Sequence, residues 1–255
     1  MVARLTRSSR RSKALYAVLG AGFVVLLVGV AALFVQQQSY LTEVSEGHTT
    51  FAPSPESEQP TVRAVLWVGD SFTVGTGSET PSKSYARIVS RELGLLPRVD
   101  AQGGSGFLAD GKKAVISNVP VPERLDLNKQ VFTPDLVIID AGRNDGLATE
   151  AEVRDVSNQY LDDVREAWPS AHLVLIVPFV LGAEKPDALF ADIYEQRASD
   201  LGATVINPVK EGWVGPKNLD SWIYKDGIHP NVEGHQYIAD QLVERLQKVP
   251  EVHKS

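Results

Sequence analysis

The sequence predicts an α/β domain with a mostly parallel sheet, preceded by one membrane-spanning helix. Three observations carry this reading. Short apolar runs rich in β-branched residues alternate with longer stretches of helical spacing. None of the short runs alternates cleanly between apolar and polar residues, as expected of parallel strands covered on both faces. Ahead of them all, residues 14–35 form a stretch of 22 residues without a charge, long enough to cross a bilayer.

Residues 62–68 form the first apolar run and end at Gly69, which reads as a buried strand followed by a turn. Residues 136–139, 173–177 and 204–206 are further strands, and a shorter segment ends near Val99. Between them, residues 84–93 set Tyr85, Ile88, Val89 and Leu93 on one stripe. Residues 150–168 carry Val153, Val156, Tyr160, Leu161, Val164 and Trp168 near helical spacing, and residues 189–201 and 232–246 follow the same logic. Pro169 and Gly202 fall where helices stop. Alternating strands and helices imply an α/β layer structure, in which ligands bind beyond the carboxyl ends of the strands.

The N-terminal stretch is bracketed by charge. Arg4, Arg7, Arg10, Arg11 and Lys13 precede it, and Glu43, Glu46, Glu56 and Glu58 follow. At about 1.5 Å per residue its helix spans roughly 33 Å, against a hydrocarbon core of about 30 Å. The positive-inside rule then leaves residues 1–13 in the cytoplasm and puts everything after residue 36 outside. Secretion after cleavage of a signal peptide is the alternative. A signal's apolar core runs about 7–15 residues and ends at small residues; here Leu33-Phe34-Val35 continues past Ala31-Ala32. Residues 36–61, rich in Gln, Ser, Thr, Glu and Pro, read as a flexible linker. Residues 62–248 are the soluble domain and 249–255 a tail.

Composition narrows the chemistry. The chain of 255 residues has no cysteine, which excludes a thiolate nucleophile, a disulfide and a Cys-ligated metal. No spaced His cluster provides a metal site either, and no cofactor is expected. From residue 62 onward acids outnumber bases by 28 to 20, which argues against a nucleic-acid partner.

Four short blocks then occur in order: Gly69-Asp70-Ser71, Gly104-Ser105-Gly106, Gly142-Arg143-Asn144-Asp145 and Asp226-Gly227-Ile228-His229. Acyl transfer needs a nucleophile, oxyanion donors, a base and a group that orients the base, and the blocks contain each type. Ser71 follows the first strand on a turn. Asp70 and Ser71 also suit a plain helix cap. Asn144 follows a strand end, where its amide would donate to a developing oxyanion; the alternative is turn chemistry. Asp226 and His229 stand three apart, just before Pro230 and a helical segment. His48 lies in the linker, His253 in the tail, His172 before a strand and His235 inside a helix, so His229 has the strongest claim as base. Trp213 and Trp222, in the stretch 211–225, would face a glycan ring or an acyl chain if they do not simply pack. Arg143 and Lys225 are cations available to an anionic group nearby.

In these blocks the chain resembles the SGNH hydrolases, the GDSL-type esterases and lipases. The resemblance covers about residues 62–248. It implies a flavodoxin-like three-layer α/β/α sandwich, no metal, and a catalytic set of Ser71, Asp226 and His229. It further implies an oxyanion hole formed by Ser71, Gly106 and Asn144, with Gly104 in reserve. Asp70, Gly104, Asp145, Trp213 and Trp222 are the candidate substrate contacts. The expected function is a membrane-anchored, extracytoplasmic serine esterase acting on a lipid or acylated glycan of the cell envelope. A cell-envelope acyltransferase and a catalytically silent surface binding module are the alternatives.

Overall fold

The strands β1 (Ala64–Gly69), β2 (Leu96–Ala101), β3 (Leu136–Asp140), β4 (His172–Ile176) and β5 (Ala203–Ile206) pair in parallel in the order β2-β1-β3-β4-β5. They belong to a computed structural model that describes residues 62–109, 118–182, 187–214, 219–249 and 252. The basic segment 1–13, the apolar stretch 14–35 and the linker 36–61 lie outside the described residues. Among the described residues, no helix is long and apolar enough to cross a membrane.

The connecting helices are α1 (Ser71–Val74), α2 (Tyr85–Glu92), α3 (Leu125–Val131), α4 (Glu150–Ala167), α5 (Ala188–Leu201), α6 (Leu219–Trp222) and α7 (Val232–Leu246). Alternate residues of the central strands feed two separate cores. Val65, Trp67, Leu136, Ile138, Val174 and Ile176 pack with Tyr85, Ile88 and Val89 of α2 and Ile238, Leu242 and Leu246 of α7. Leu66, Val68, Val137, Ile139, Leu173 and Leu175 pack with Leu125 of α3, Val153, Tyr160, Leu161 and Val164 of α4, and Phe190, Ile193 and Tyr194 of α5. Both sheet faces are therefore covered, which is why these strands read as unbroken apolar runs. The result is a three-layer α/β/α domain with flavodoxin-like strand order.

Helix ends follow local chemistry. Thr149 caps α4 in a capping box with Glu152, Asp187 caps α5 through the Phe190 N–H, and α5 stops at left-handed Gly202. Asn231 caps α7 through the Gly234 N–H, so Pro230 stands one residue before the cap rather than at the helix start. Two expectations change. The segment expected to end near Val99 is an edge strand reaching Ala101, and its Pro97, Arg98 and Asp100 hid it from an apolar-run reading. The tail expected from residue 249 is not separate, because Val249 and Val252 are buried in the core with α7.

His235 sits inside the first core. It is fully buried, accepts from the Tyr85 N–H at 3.4 Å and donates to the Thr76 carbonyl at 3.1 Å. Burial lowers its pKa to about 4, with a smaller push from His229 against the opposing Thr76 bond. The unfolded chain takes up this proton near pH 6.5 and the folded one only near pH 4. Stability from this site is therefore complete above about pH 6.5 and declines as pH falls toward 4, by roughly 3 kcal/mol in all. Urea melts between pH 7.5 and 4 are expected to show this decline. His235→Gln should be less stable at pH 7.5 and should lose less on acidification.

Candidate active site

β1 leads to β2 on one side while its other neighbour, β3, leads to β4 on the opposite side, so the connections leaving the carboxyl ends of β1 and β3 diverge. That divergence opens a crevice where ligands bind in open α/β sheets. Ser71 opens α1 immediately after β1, and its Oγ lies 2.8 Å from His229 Nε2. His229 Nδ1 lies 2.7 Å from Asp226 Oδ2. With Nδ1–H donating to the carboxylate, Nε2 carries the lone pair that accepts the Ser71 hydroxyl. Asp226 Oδ1 also accepts the Ile228 and His229 N–H groups at 2.9 and 3.0 Å. Desolvation raises the Asp226 carboxyl, but the His229 N–H and imidazole and the Ile228 N–H outweigh it, and its pKa falls to about 2. The orienting group is thus ionised across any ordinary working pH.

Asn144 follows β3, and one amide N–H donates to the Ser105 carbonyl at 2.9 Å. That bond fixes the amide plane and leaves its second N–H available. Gly103 and Gly104 form the middle of a turn closed by Ser105 N–H on the Gln102 carbonyl at 3.2 Å. Gly104 has φ of +78°, and a Cβ placed on Gly103 would stand 3.8 Å from Ser71 Cβ. This turn therefore lies against the nucleophile, and among the described residues neither N–H in its middle is engaged in a hydrogen bond.

Gly106 is placed differently from the expectation. Its N–H donates to the Ala109 carbonyl at 2.9 Å, and a Cβ there would collide with the Asp145 carboxylate. Its glycine character serves close packing, whereas the reserve residue Gly104 belongs to the turn beside Ser71 and keeps its N–H unengaged among the described residues. Two glycines one residue apart look alike in sequence; only the partner of each N–H separates them.

The expected substrate contacts fare unevenly. Asp70 is fully buried: Oδ1 caps α1 through the Phe72 N–H at 2.9 Å, and Oδ2 receives Arg143 at 3.2 Å. Asp145 is buried too, and accepts the N–H groups of Phe107, Leu108 and Ala109 at 2.8, 2.9 and 3.0 Å. Trp213 is a core residue, and Trp222 stacks on Tyr237 at 4.0 Å and packs against the same core. Asp70, Asp145 and Trp213 are thus buried within the structure, and Trp222 is half-buried against its core. Arg143 is likewise buried between two carboxylates, and Lys225 lies over the Tyr224 ring. What sequence reading passed over is the ring of Phe72, 5.4 Å from the His229 ring, and Arg124, which reaches the Gly69 carbonyl and Asp100. Residues 110–117, 183–186 and 215–218 lie outside the described residues.

Fold and site together define a serine hydrolase of the SGNH type. The model of the GDSL-like lipase/acylhydrolase family matches residues 67–237, and the chain belongs to that family. It is 29% identical over 195 residues to the GDSL lipase Rv0518 of Mycobacterium tuberculosis, covering 70% of this chain and 79% of that protein. Among solved structures, a family two carbohydrate esterase from Clostridium thermocellum has a TM-score of 0.61 at 20% identity, over 75% of this chain and 65% of that one. The esterase EstA from Pseudoalteromonas has a TM-score of 0.56 at 17% identity, over 73% and 97%. The two structures share the fold. With the family, the chain is a serine ester hydrolase.

The two glycines separate by experiment. Gly106→Ala is expected to cost about 1–3 kcal/mol in urea unfolding, because the methyl meets the Asp145 carboxylate. Asp145→Ala should cost at least as much, since three backbone N–H groups lose their acceptor.

Proposed function

We propose that the protein cleaves carboxylic esters through an acyl-Ser71 intermediate. The observation that carries this is the unbroken relay from Ser71 Oγ through His229 to Asp226. Ser71 attacks the ester carbonyl while His229 Nε2 takes its proton. His229 then returns that proton to the leaving alcohol, and a water repeats the cycle to release the acid. Asp226 holds the imidazole tautomer and stabilises the imidazolium. The oxyanion is held by the backbone N–H groups of Ser71 and Gly104 and by the free amide N–H of Asn144. Gly106 is not part of this set.

The substrate is an ester of the cell envelope, lipid or acylated glycan. Likeness to a mycobacterial lipase supports the lipid side. Trp213 is buried in the core and Trp222 stacks on Tyr237, so neither ring speaks for a glycan over an acyl chain. Residues 14–35 anchor the protein in a membrane with the catalytic domain outside, a reading supported by their length, the preceding basic cluster and the acids that follow.

Ser71→Ala and His229→Ala are each expected to lower turnover of a short p-nitrophenyl ester by at least about 10³. Asn144→Ala should lower kcat by about 10²–10³. Gly104→Ala should reduce kcat while changing stability less than Gly106→Ala does. Wild-type turnover in Ser71→Ala removes the mechanism. With a labelled acyl donor and envelope acceptors present, release of free acid alone supports hydrolysis, and label on a sugar or lipid replaces it with transfer. For the anchor, the full chain should stay with membranes after alkaline carbonate washing. A mature N-terminus within residues 30–40 would establish cleavage instead.

A further inference from the structure

Arg143 stands between Gly142 and Asn144 in the third block, yet its side chain is only 7% exposed and does not face the crevice as a free cation. Its Nε donates to the Phe179 carbonyl at 2.7 Å. Nη1 donates to Asp70 Oδ2 and the Asp140 carbonyl, both at 3.2 Å, and Nη2 to Asp140 Oδ1 at 2.6 Å. The guanidinium lies 4.4 Å from the centre of the Phe72 ring and 4.9 Å from that of Phe179. Burial alone would lower the pKa of this cation, but Asp140 and Asp70 outweigh it and hold it above the ordinary arginine value.

These contacts converge on the nucleophile from both sides. Asp70 precedes Ser71 and caps its helix; Phe72 follows Ser71 and lies against the His229 ring, 5.4 Å between centres. Asp140 ends β3, two residues before Gly142-Arg143-Asn144, and its Oδ2 is further held by Thr73 at 3.1 Å and by the Tyr85 hydroxyl. One planar side chain thus joins the residue before the nucleophile, the ring after it and the strand end that launches Asn144. A planar five-donor fork suits this task; a lysine ammonium would reach fewer of these partners.

We infer that Arg143 is a positioning residue for ester cleavage: it ties Asp70 to the end of β3 and props Phe72 against His229, and so sets the Ser71–His229 separation. The inference rests on the acyl-Ser71 reading above. Misplacing a reacting group by about 1 Å can cost on the order of 10² in rate. Arg143→Met keeps length and loses the fork and charge. Its kcat should fall about 10–100-fold with KM changed less than about threefold. Labelling of Ser71 by a fluorophosphonate should slow by a similar factor, measured per folded molecule. Arg143→Lys should lie between Arg143→Met and wild type.

Phe72→Leu leaves the ion pairs in place and removes only the aromatic prop. It should slow labelling by about fivefold at unchanged KM, a change smaller than that of Arg143→Met. If Arg143→Met does not fold, Arg143→Lys and Phe72→Leu decide the matter. Folded variants that label at the wild-type rate overturn the inference. Should Ser71→Ala keep full turnover, the acyl-Ser71 reading itself falls, whereas an inactive Ser71→Ala beside wild-type Arg143 variants sinks only the positioning role.

Discussion

Gly69, Ala101 and Asp140 end side by side, because β1 pairs in register with β2 on one flank and β3 on the other. Every functional segment but one departs from this short line. The first block leaves from Gly69, the glycine turn from Ala101 and the Asn144 loop from Asp140. Only the Asp226–His229 loop arrives from elsewhere, carried in ahead of α7. Parallel pairing therefore brings together residues far apart in the chain, each within a few residues of a strand end.

Two buried arginines secure that line. Arg124 donates to the Gly69 carbonyl at 3.2 Å and to Asp100 Oδ1 at 3.0 Å, binding β1 to β2. Arg143 does the equivalent between Asp70 and Asp140, binding the first turn to β3. In a dry interior a paired charge stabilises little in net terms, yet removing one partner is costly because the other is left uncompensated. Exposed pairs such as Lys83–Glu79 and Lys248–Glu244 are a different matter and add little. The geometry of the site thus depends on ionic groups that never meet a substrate.

Much of this was legible in the sequence, and what was not has physical causes. Strands with both faces covered announce themselves as apolar runs, so β1, β3 and β4 were visible. β2 lies at the edge, half-buried, and its Pro97, Arg98 and Asp100 conceal it. Ser71, Asn144, Asp226 and His229 were found because their chemistry demands particular residue types in a particular order. Asp70 and Asp145 resemble them by type, but their role is set by which backbone N–H groups surround them, a property of loop conformation that no residue pattern encodes. Trp213 and Trp222 were ambiguous for a related reason: an aromatic ring packs in a core or presents a face with equal chemical ease. The Arg143 network was invisible because all its bonds but the one to Asp140 Oδ1 cross between segments distant in the chain or run through a backbone carbonyl.

The stretch between Ala109 and Asn118 has both of its stems secured. On one side Asp145 receives three successive N–H groups ending at Ala109. On the other, Asn118 donates to the Gly103 carbonyl, the Val119 N–H to Gln102 Oε1 at 2.9 Å, and the Val121 N–H to the Gly106 carbonyl at 2.9 Å. Chain inserted between two pinned stems closes at small entropic cost, since that cost grows only slowly with length. The segment is therefore a natural cassette. Residues 110–117 can thus be replaced or lengthened while the turn beside Ser71 keeps its footing.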